Sequence, residues 1–551
     1  MTLDPTLWYM IPDATARAAQ RAFPKGNRYV TMYETLGPIF TNPDFADLYA
    51  HRGRPAEAPA RLALVLVFQQ IEQLGDAEAA EAVRARLDWK YALALDIDDP
   101  GFDATILGDF RTRLLVSGAE ERLLTIMLDT LVDAGFLQAR GRQRSDSTHV
   151  LANLRLLTRM TLVAETLRAT LNDLADAAPA WLATHLDPAW AERYAVRVEE
   201  YRLPKAAADR QVLETTIGQD GYALLKALYA PDAPPELWQR PAVQVLRQIW
   251  LQQYYGPHDV RWRSNDDLPP HAQLIRSPYE TEARFATKRT TTWTGYKVHL
   301  TETCDDDQPH LITNVETTPA TTNDVCVTDT IHTHLAARNL LPQEHLVDSG
   351  YVSAAILVDS QQQQGVDVVG PVLGDTSWQA RQPDGLDIRC FAIDWDLQQV
   401  TCPAGKMSVR WRPSTANPGA GQAEIAIQFD PDDCRACPLR PRCTQAKTGP
   451  RTLKLQPRDP HEALQRARVR QVTEAFKQLY AARAGIEGCL SQGVRAFGLR
   501  SARYRGQAKT HLQHILMVIA INIVRVVAWV QDIPRATTRQ SSFARLVASL
   551  G

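Results

Sequence analysis

Apolar residues recur at three-to-four spacing from Ala60 to Leu95, and the run breaks at Gly75-Asp76. That pattern predicts two helices joined by a turn, with Asp76 and Ala-Glu-Ala-Ala starting the second, as in a helix-turn-helix hairpin. Phe102 to Leu114 continues in the same style, with Arg111 and Arg113 following Phe110. Residues 1–135 therefore read as a helical domain, and packing or DNA reading fits the pattern equally. Leu151 to about Gln253 is again helical in period, with breaks at Pro179, Pro188, Pro204 and Pro231 to Pro235. The period then shortens. Thr294–Glu302 and Pro309–Glu316 read as strands, Asp324–Leu340 as a helix, and Glu344–Val347 as a short strand ending at Asp348. Asp459-Pro460-His461-Glu462 places a capping acid before proline at the first helical position, so a helix is expected from there through Ala463 to about Ile486.

The most apolar run, Ile515 to Val530, contains Asn522 and Arg525. It is shorter than the roughly twenty apolar residues of a membrane span, which predicts a buried helix and no membrane partner. Met1 to Gly26 has no apolar core of signal length, and the expected location is cytoplasmic. At 551 residues several domains or insertions are expected.

A net charge of −2 gives no global sign of nucleic-acid binding, but the distribution does. Arg435 to Arg470 holds ten Lys/Arg against two acids, and Lys477 to Arg525 holds eight against Glu487 alone. The C-terminal third therefore offers a local positive surface, whose plainer reading is a solvated face.

Candidate chemistry sits in three short stretches: Arg144-Ser-Asp-Ser-Thr148, Leu346-Val-Asp-Ser-Gly-Tyr351 and Tyr480-x2-Arg483-x3-Glu487. Each holds one carboxylate (Asp146, Asp348, Glu487), and only folding can unite them. Carboxylate oxygens suit hard Mg²⁺ or Mn²⁺ and leave coordination sites for phosphate, the requirement of two-metal phosphoryl transfer. On a continuous helix Tyr480, Arg483 and Glu487 fall within about 60° of one another, placing a phenol and a phosphate-binding guanidinium beside the carboxylate. An exposed face with a salt bridge is the plainer alternative.

In order, the three stretches resemble the catalytic signature of DDE transposases of bacterial insertion sequences, the group with a Y-x2-R-x3-E helix. The resemblance runs from about Ala60 to Arg525. It implies a mixed α/β fold: a ribonuclease-H-like catalytic core (136–150, 275–370, 458–530) with Asp146 and Asp348 on neighbouring strands. A DNA-binding helical domain (1–135), a helical insertion (151–274), a Cys-rich basic insertion (371–457) and a tail (531–551) complete the implied chain. The activity implied is metal-dependent cleavage at insertion-sequence ends and strand transfer by cut-and-paste. Double-stranded DNA is the implied partner, with a homodimer on paired ends near the nucleoid. Tyr480, Arg483, Lys297, Arg495, Arg503, Arg505 and Lys509 are the candidate DNA contacts. In the family signature a lysine follows the glutamate by seven residues, whereas Val494 and Arg495 stand here. Gly485, Gly488, Gly493 and Gly498 predict a broken helix in this stretch. A nuclease of the same fold without strand transfer, and a domesticated DNA-binding protein, are the rival readings.

Cys402-Pro-Ala-Gly-Lys406 and Cys434-x2-Cys437-x5-Cys443 supply four cysteines suited to a closed tetrahedral Zn²⁺ site. An iron–sulfur cluster and unliganded thiols are the alternatives. Trp293, Trp378, Trp395 and Trp411 are candidate base-stacking residues, and His149, His299 and His345 lie near the carboxylate-bearing strands.

Overall fold

The computed structural model describes residues 2–3, 10–155, 157–414, 424–534, 542 and 546; most of the 531–551 tail lies outside the described residues. Helix and strand are mixed. The main sheet contains β1 (Arg142–Leu151), β2 (Arg284–Lys288), β3 (Thr291–Thr303), β4 (Ile312–Pro319), β5 (Glu344–Leu346) and β6 (Asp367–Val369). β1 lies between β3, which is antiparallel to it, and β5, which is parallel. β6 extends the sheet beyond β5, while β2 and β4 share the far edge of β3.

The strand β1 is buried along most of its length, and its two faces do different things. Gln143 and Ser145 on one face join buried hydrogen bonds: Gln143 Nε2 donates to Leu340 O (2.8 Å), and Ser145 Oγ meets His345 Nε2 (2.7 Å). Arg144 and Asp146 occupy the other face, because successive side chains alternate.

A single hydrophobic core runs from Tyr29 in the N-terminal helices to Val527. Its two central helices, Pro59–Glu72 and Gln507–Val530, pack on each other, and the latter also packs on β4. Pro59 to Gln70 is buried except for Arg61, so the first helix of the predicted hairpin is a core helix. The Gln507–Val530 helix has the length and apolarity to cross a membrane, but 72% of its apolar window is buried inside the protein. The helices between β1 and β2 surround a core of their own, including Leu167, Leu224, Leu246 and Trp250. A third, much smaller core (Phe391, Val400, Ile427, Phe429, Leu453, Leu455) lies within the cysteine-containing segment.

Three local expectations need correction. The helix expected to begin after Asp459 begins at Arg458, so Asp459 lies in its first turn and is not the cap. It also ends at Arg470; Thr473 then caps a new helix, Glu474–Ala481, by accepting from Phe476 N. A 3₁₀ turn, Ala482–Ala484, follows. Beyond it, Gly485–Phe497 is one unbroken helix despite three glycines, and it stops at Gly498 in the left-handed conformation (φ 68°). Buried Ile486, Cys489 and Leu490 outweigh the roughly 1 kcal/mol that each glycine costs. Lastly, β5 ends at Leu346, and Asp348 instead caps a 3₁₀ turn, Ser349–Tyr351.

Candidate active site

The parallel register pairs Arg144 with Leu346. Asp146 and Asp348 each lie two residues beyond that pair, Asp348 in the turn after β5, and Arg483 reaches both carboxylates. Asp348 is held there by its own backbone, its carboxylate accepting from Gly350 N at 2.8 Å. Asp146 accepts from Ser147 N at 2.7 Å. The third carboxylate arrives on the first turn of the Gly485–Phe497 helix.

Arg483, in the preceding 3₁₀ turn, draws the three together. Its Nη2 donates to Asp146 Oδ2 at 2.7 Å and lies 3.9 Å from Asp348 Oδ2, while Nη1 lies 3.7 Å from Glu487 Oε1. One guanidinium thus contacts all three carboxylates. The side chains differ in exposure: Asp146 13%, Asp348 31% and Glu487 71%. Burial raises the Asp146 carboxyl above its ordinary value of 3.8, with Arg483 acting against it. The Tyr480 ring stacks on Phe476 (5.4 Å between centroids), and Phe476 packs with Leu346 and Val369 of β5 and β6. The phenol is therefore carried to the same edge by an apolar anchor, and burial raises its pKa. Among the described residues, no three Cys, His, Asp or Glu side chains are grouped to hold a metal ion. At the carboxylate cluster, a guanidinium lies where such grouping would be needed.

The bracing behind the cluster was not among the sequence candidates. Arg144 Nε donates to Glu302 Oε1 (2.8 Å), Nη1 to Ala482 O (2.5 Å), and Nη2 to His310 Nδ1 (3.0 Å). Arg525 Nη1 donates to the other oxygen of Glu302 (2.6 Å), and Arg525 Nε to Gln492 Oε1 (2.9 Å). Burial would push the Glu302 carboxyl up, but Arg525 and Arg144 outweigh it and hold it below its usual range. β1, β3 and the last two segments of the chain are therefore joined through one buried ion network. Gly485 makes room for it, because a Cβ there would fall 2.1 Å from Arg144 Nη1. The only sequence signal was that Arg144 opens the motif containing Asp146.

The other candidates divide. Lys297 Nζ is taken up by Thr322 O (2.7 Å) and Asp324 Oδ1 (2.9 Å). Arg503 donates to Leu74 O (2.9 Å) and Gln73 Oε1 (3.0 Å), tying the C-terminal segment to the N-terminal helices. Arg495, Arg505 and Lys509 are exposed, Arg505 lying over the Tyr279 ring. Two further cations lie at this edge: Arg500, which donates to Thr148 Oγ1 (2.8 Å), and Lys288, whose charge acts on Asp146 and His149. Trp293 is buried and donates to Tyr296 O, as a sheet-packing residue does. Trp395 and Trp411 contact each other edge to face, and Trp378 opens a short helix. His299 and His345 are buried and hydrogen-bonded, whereas His149 lies beside Trp293.

Cys402, Cys434, Cys437 and Cys443 line one cavity of about 30 Å³. Cys402 sits in a tight turn, where Gly405 N donates to Cys402 O and Cys402 N to Lys406 O (both 2.8 Å). Lys406, Arg440 and Arg451 also line the cavity, against Asp433 as its one acid. Lys406 pairs with Asp433 (2.9 Å), while the buried Nε of Arg451 has no hydrogen-bond partner. Burial raises the Cys443 thiol.

Comparison with known families gives two matches. Residues 17–113 match a transposase domain (DUF772), and residues 401–527 match a transposase DDE domain. The second match includes Tyr480, Arg483, Glu487 and the four cysteines; Asp146 and Asp348 lie outside both. No curated protein and no solved structure matches the chain. Over these two stretches, one in the N-terminal helices and one in the C-terminal part of the chain, the protein is similar to transposases, and to their DDE domain in the second.

Proposed function

We propose that this chain is a DDE transposase that cleaves DNA at the ends of its own insertion sequence and joins those ends to target DNA by cut-and-paste. The carrying observation is that three carboxylates from distant parts of the chain surround one guanidinium. A cation already stands among them, and oxygen donors of this kind suit Mg²⁺ or Mn²⁺. Two such ions, when bound, would supply the Lewis acidity for transfer of a phosphoryl group first to water and then to a target strand. Asp146, Asp348 and Glu487 would be the residues that hold them. Tyr480 and Arg483 hold terminal phosphates.

The order of the sheet, with β1 between an antiparallel and a parallel neighbour, supports a ribonuclease-H-like core built from 136–150, 275–370 and 458–530. The helical domain 1–135 supports end binding, and 151–274 and 371–457 are insertions in that core. Exposed Arg495, Arg505 and Lys509, together with Arg500 and Lys288 near the carboxylates, contact double-stranded DNA. Lys297 and Arg503 support those contacts from within. Two copies pair the ends, in the bacterial cytoplasm at the nucleoid.

Cys402, Cys434, Cys437 and Cys443 line one cavity and would hold a structural Zn²⁺ on drawing closer together, since among the described residues no three of them are already grouped around an ion. Thiolates suit the ion, and the cationic wall of the cavity offsets the negative charge of four thiolates around one Zn²⁺. Mass-spectrometric metal analysis of the purified chain should find about one zinc per chain, as a single four-thiolate site requires; finding none removes this assignment.

The test of the activity uses the full chain with DNA carrying the inverted repeats that flank its gene. Joined products that disappear in Asp146→Asn support transposition. Cleavage without joining favours the nuclease reading, and binding without cleavage favours the domesticated one.

A further inference from the structure

Arg483, which is partly exposed, is held differently from the buried arginine Arg144 behind it. Its guanidinium is 15% exposed and has one close hydrogen bond, to Asp146 at 2.7 Å. The other two carboxylates stand at 3.7 and 3.9 Å, and Nε is buried with no hydrogen-bond partner. Charge attraction holds this group; a saturated set of hydrogen bonds does not. The carboxylates in turn are spread around the guanidinium, and their oxygens do not converge as ligands of a single ion.

A guanidinium and a divalent ion cannot share this space. Mg²⁺ requires its oxygens at about 2.0–2.1 Å, whereas the nearest nitrogen–oxygen distance around Arg483 is 2.7 Å. Loading the ions therefore needs Arg483 to leave Asp146 and Asp348. It also needs a new partner for the arginine, because withdrawing a buried charge unpaired is costly. A DNA phosphate provides one, since its oxygens match the guanidinium fork as well as a carboxylate's do.

We infer that Arg483 is the resident cation of the metal-free site, and that it exchanges onto a phosphate of the bound DNA end as divalent ions enter. The inference rests on the carboxylates being the metal site. DNA and metal then bind cooperatively: each raises the affinity of the other by the same factor. Free protein is thereby kept from loading metal, and from cutting, until an end is in place.

The test measures Mn²⁺ binding to the full chain without DNA, by electron paramagnetic resonance. Arg483→Gln should bind Mn²⁺ about tenfold or more tightly than the unaltered chain, within the range typical of coupled sites. Adding Asp146→Asn should remove that gain. Arg483→Lys keeps the charge and should stay close to the unaltered chain, so a folding defect in the glutamine variant does not decide the matter. A duplex with one inverted repeat should raise the Mn²⁺ affinity of the unaltered chain and leave Arg483→Gln nearly unchanged. Equal or weaker Mn²⁺ binding by Arg483→Gln, still dependent on Asp146, overturns the exchange but keeps the metal site. Absence of Asp146-dependent binding in every variant overturns both.

Discussion

Arg144 reaches the turn that carries Arg483, and of the two arginines one is far better held. Arg144 donates to Glu302, Ala482 O and His310, so each of its three nitrogens has a partner. Arg483, the next residue after Ala482, makes one close bond and leaves Nε unpaired. Both carry the same charge and both sit beside carboxylates. The difference is that Arg144 faces a fully buried acid with a second arginine behind it, whereas Arg483 faces three acids that run from 13% to 71% exposed. Saturated hydrogen bonding makes one arginine part of the frame. Incomplete bonding leaves the other free to change partner.

Breaking the frame should have the largest effect. Glu302→Ala leaves Arg144 and Arg525 buried and uncompensated, which should cost about 3–5 kcal/mol of stability. Urea unfolding followed by tryptophan fluorescence should show an earlier main transition, with Arg144→Ala behaving alike. Gly485→Ala comes next. Helix propensity alone would make it stabilising by about 1 kcal/mol. The added Cβ would lie 2.1 Å from Arg144 Nη1, so the overpacking cost of about 1–3 kcal/mol should prevail. A rise in the unfolding midpoint would show that Arg144 yields easily and belongs with Arg483.

On the exchangeable side the effects should be smaller. Arg483→Gln should cost less than Glu302→Ala, about 1–3 kcal/mol, since it leaves one largely buried carboxylate, Asp146, without its close partner. A loss as large as that of Glu302→Ala would erase the distinction. The smallest effect concerns Asp146, whose carboxyl lies above its ordinary value of 3.8 because burial disfavours its charge. A raised acid stabilises the fold below its ordinary pKa, and that contribution is lost as pH climbs through the folded value. Without metal, Asp146→Asn should therefore melt slightly higher than the unaltered chain at pH 7. The gap should close towards pH 3.8, the ordinary carboxyl value. A lower melting temperature at pH 7 would mean that Arg483 outweighs burial.

The three carboxylates could be picked out because each lies in a compact motif, and β5 because its apolar run is short and bounded, whereas the strand carrying Asp146 was implied only by the family resemblance. The shape of the third motif was harder to foresee. Tyr480, Arg483 and Glu487 were expected on one continuous helix, but a 3₁₀ turn separates the helix of Tyr480 from that of Glu487. Thr473, the cap that restarts the helix before Tyr480, was visible in the chain as Thr-Glu but was masked by the strong helical period on either side. The glycine-rich stretch misled in the opposite sense. Local propensity favoured a break, whereas Gly485 is small because Arg144 needs its space, a contact 341 positions away along the chain. Glu302 and Arg525 carried no local pattern at all, since a buried ion network is defined only once strands and helices have met. For the same reason Lys297 and Arg503 looked free in the sequence, although the fold supplies partners for both.

The central claim is that Asp146, Asp348 and Glu487 form one metal site. Its most direct test loads the full chain with Fe²⁺ in place of Mg²⁺ and adds ascorbate and peroxide, so that radicals cut the backbone beside the bound ion. Cuts are expected near residues 146, 348 and 487 together, suppressed by excess Mg²⁺ and lost in Asp146→Asn. Cuts confined to one of these segments, or unaffected by Mg²⁺ and by the substitution, would contradict it.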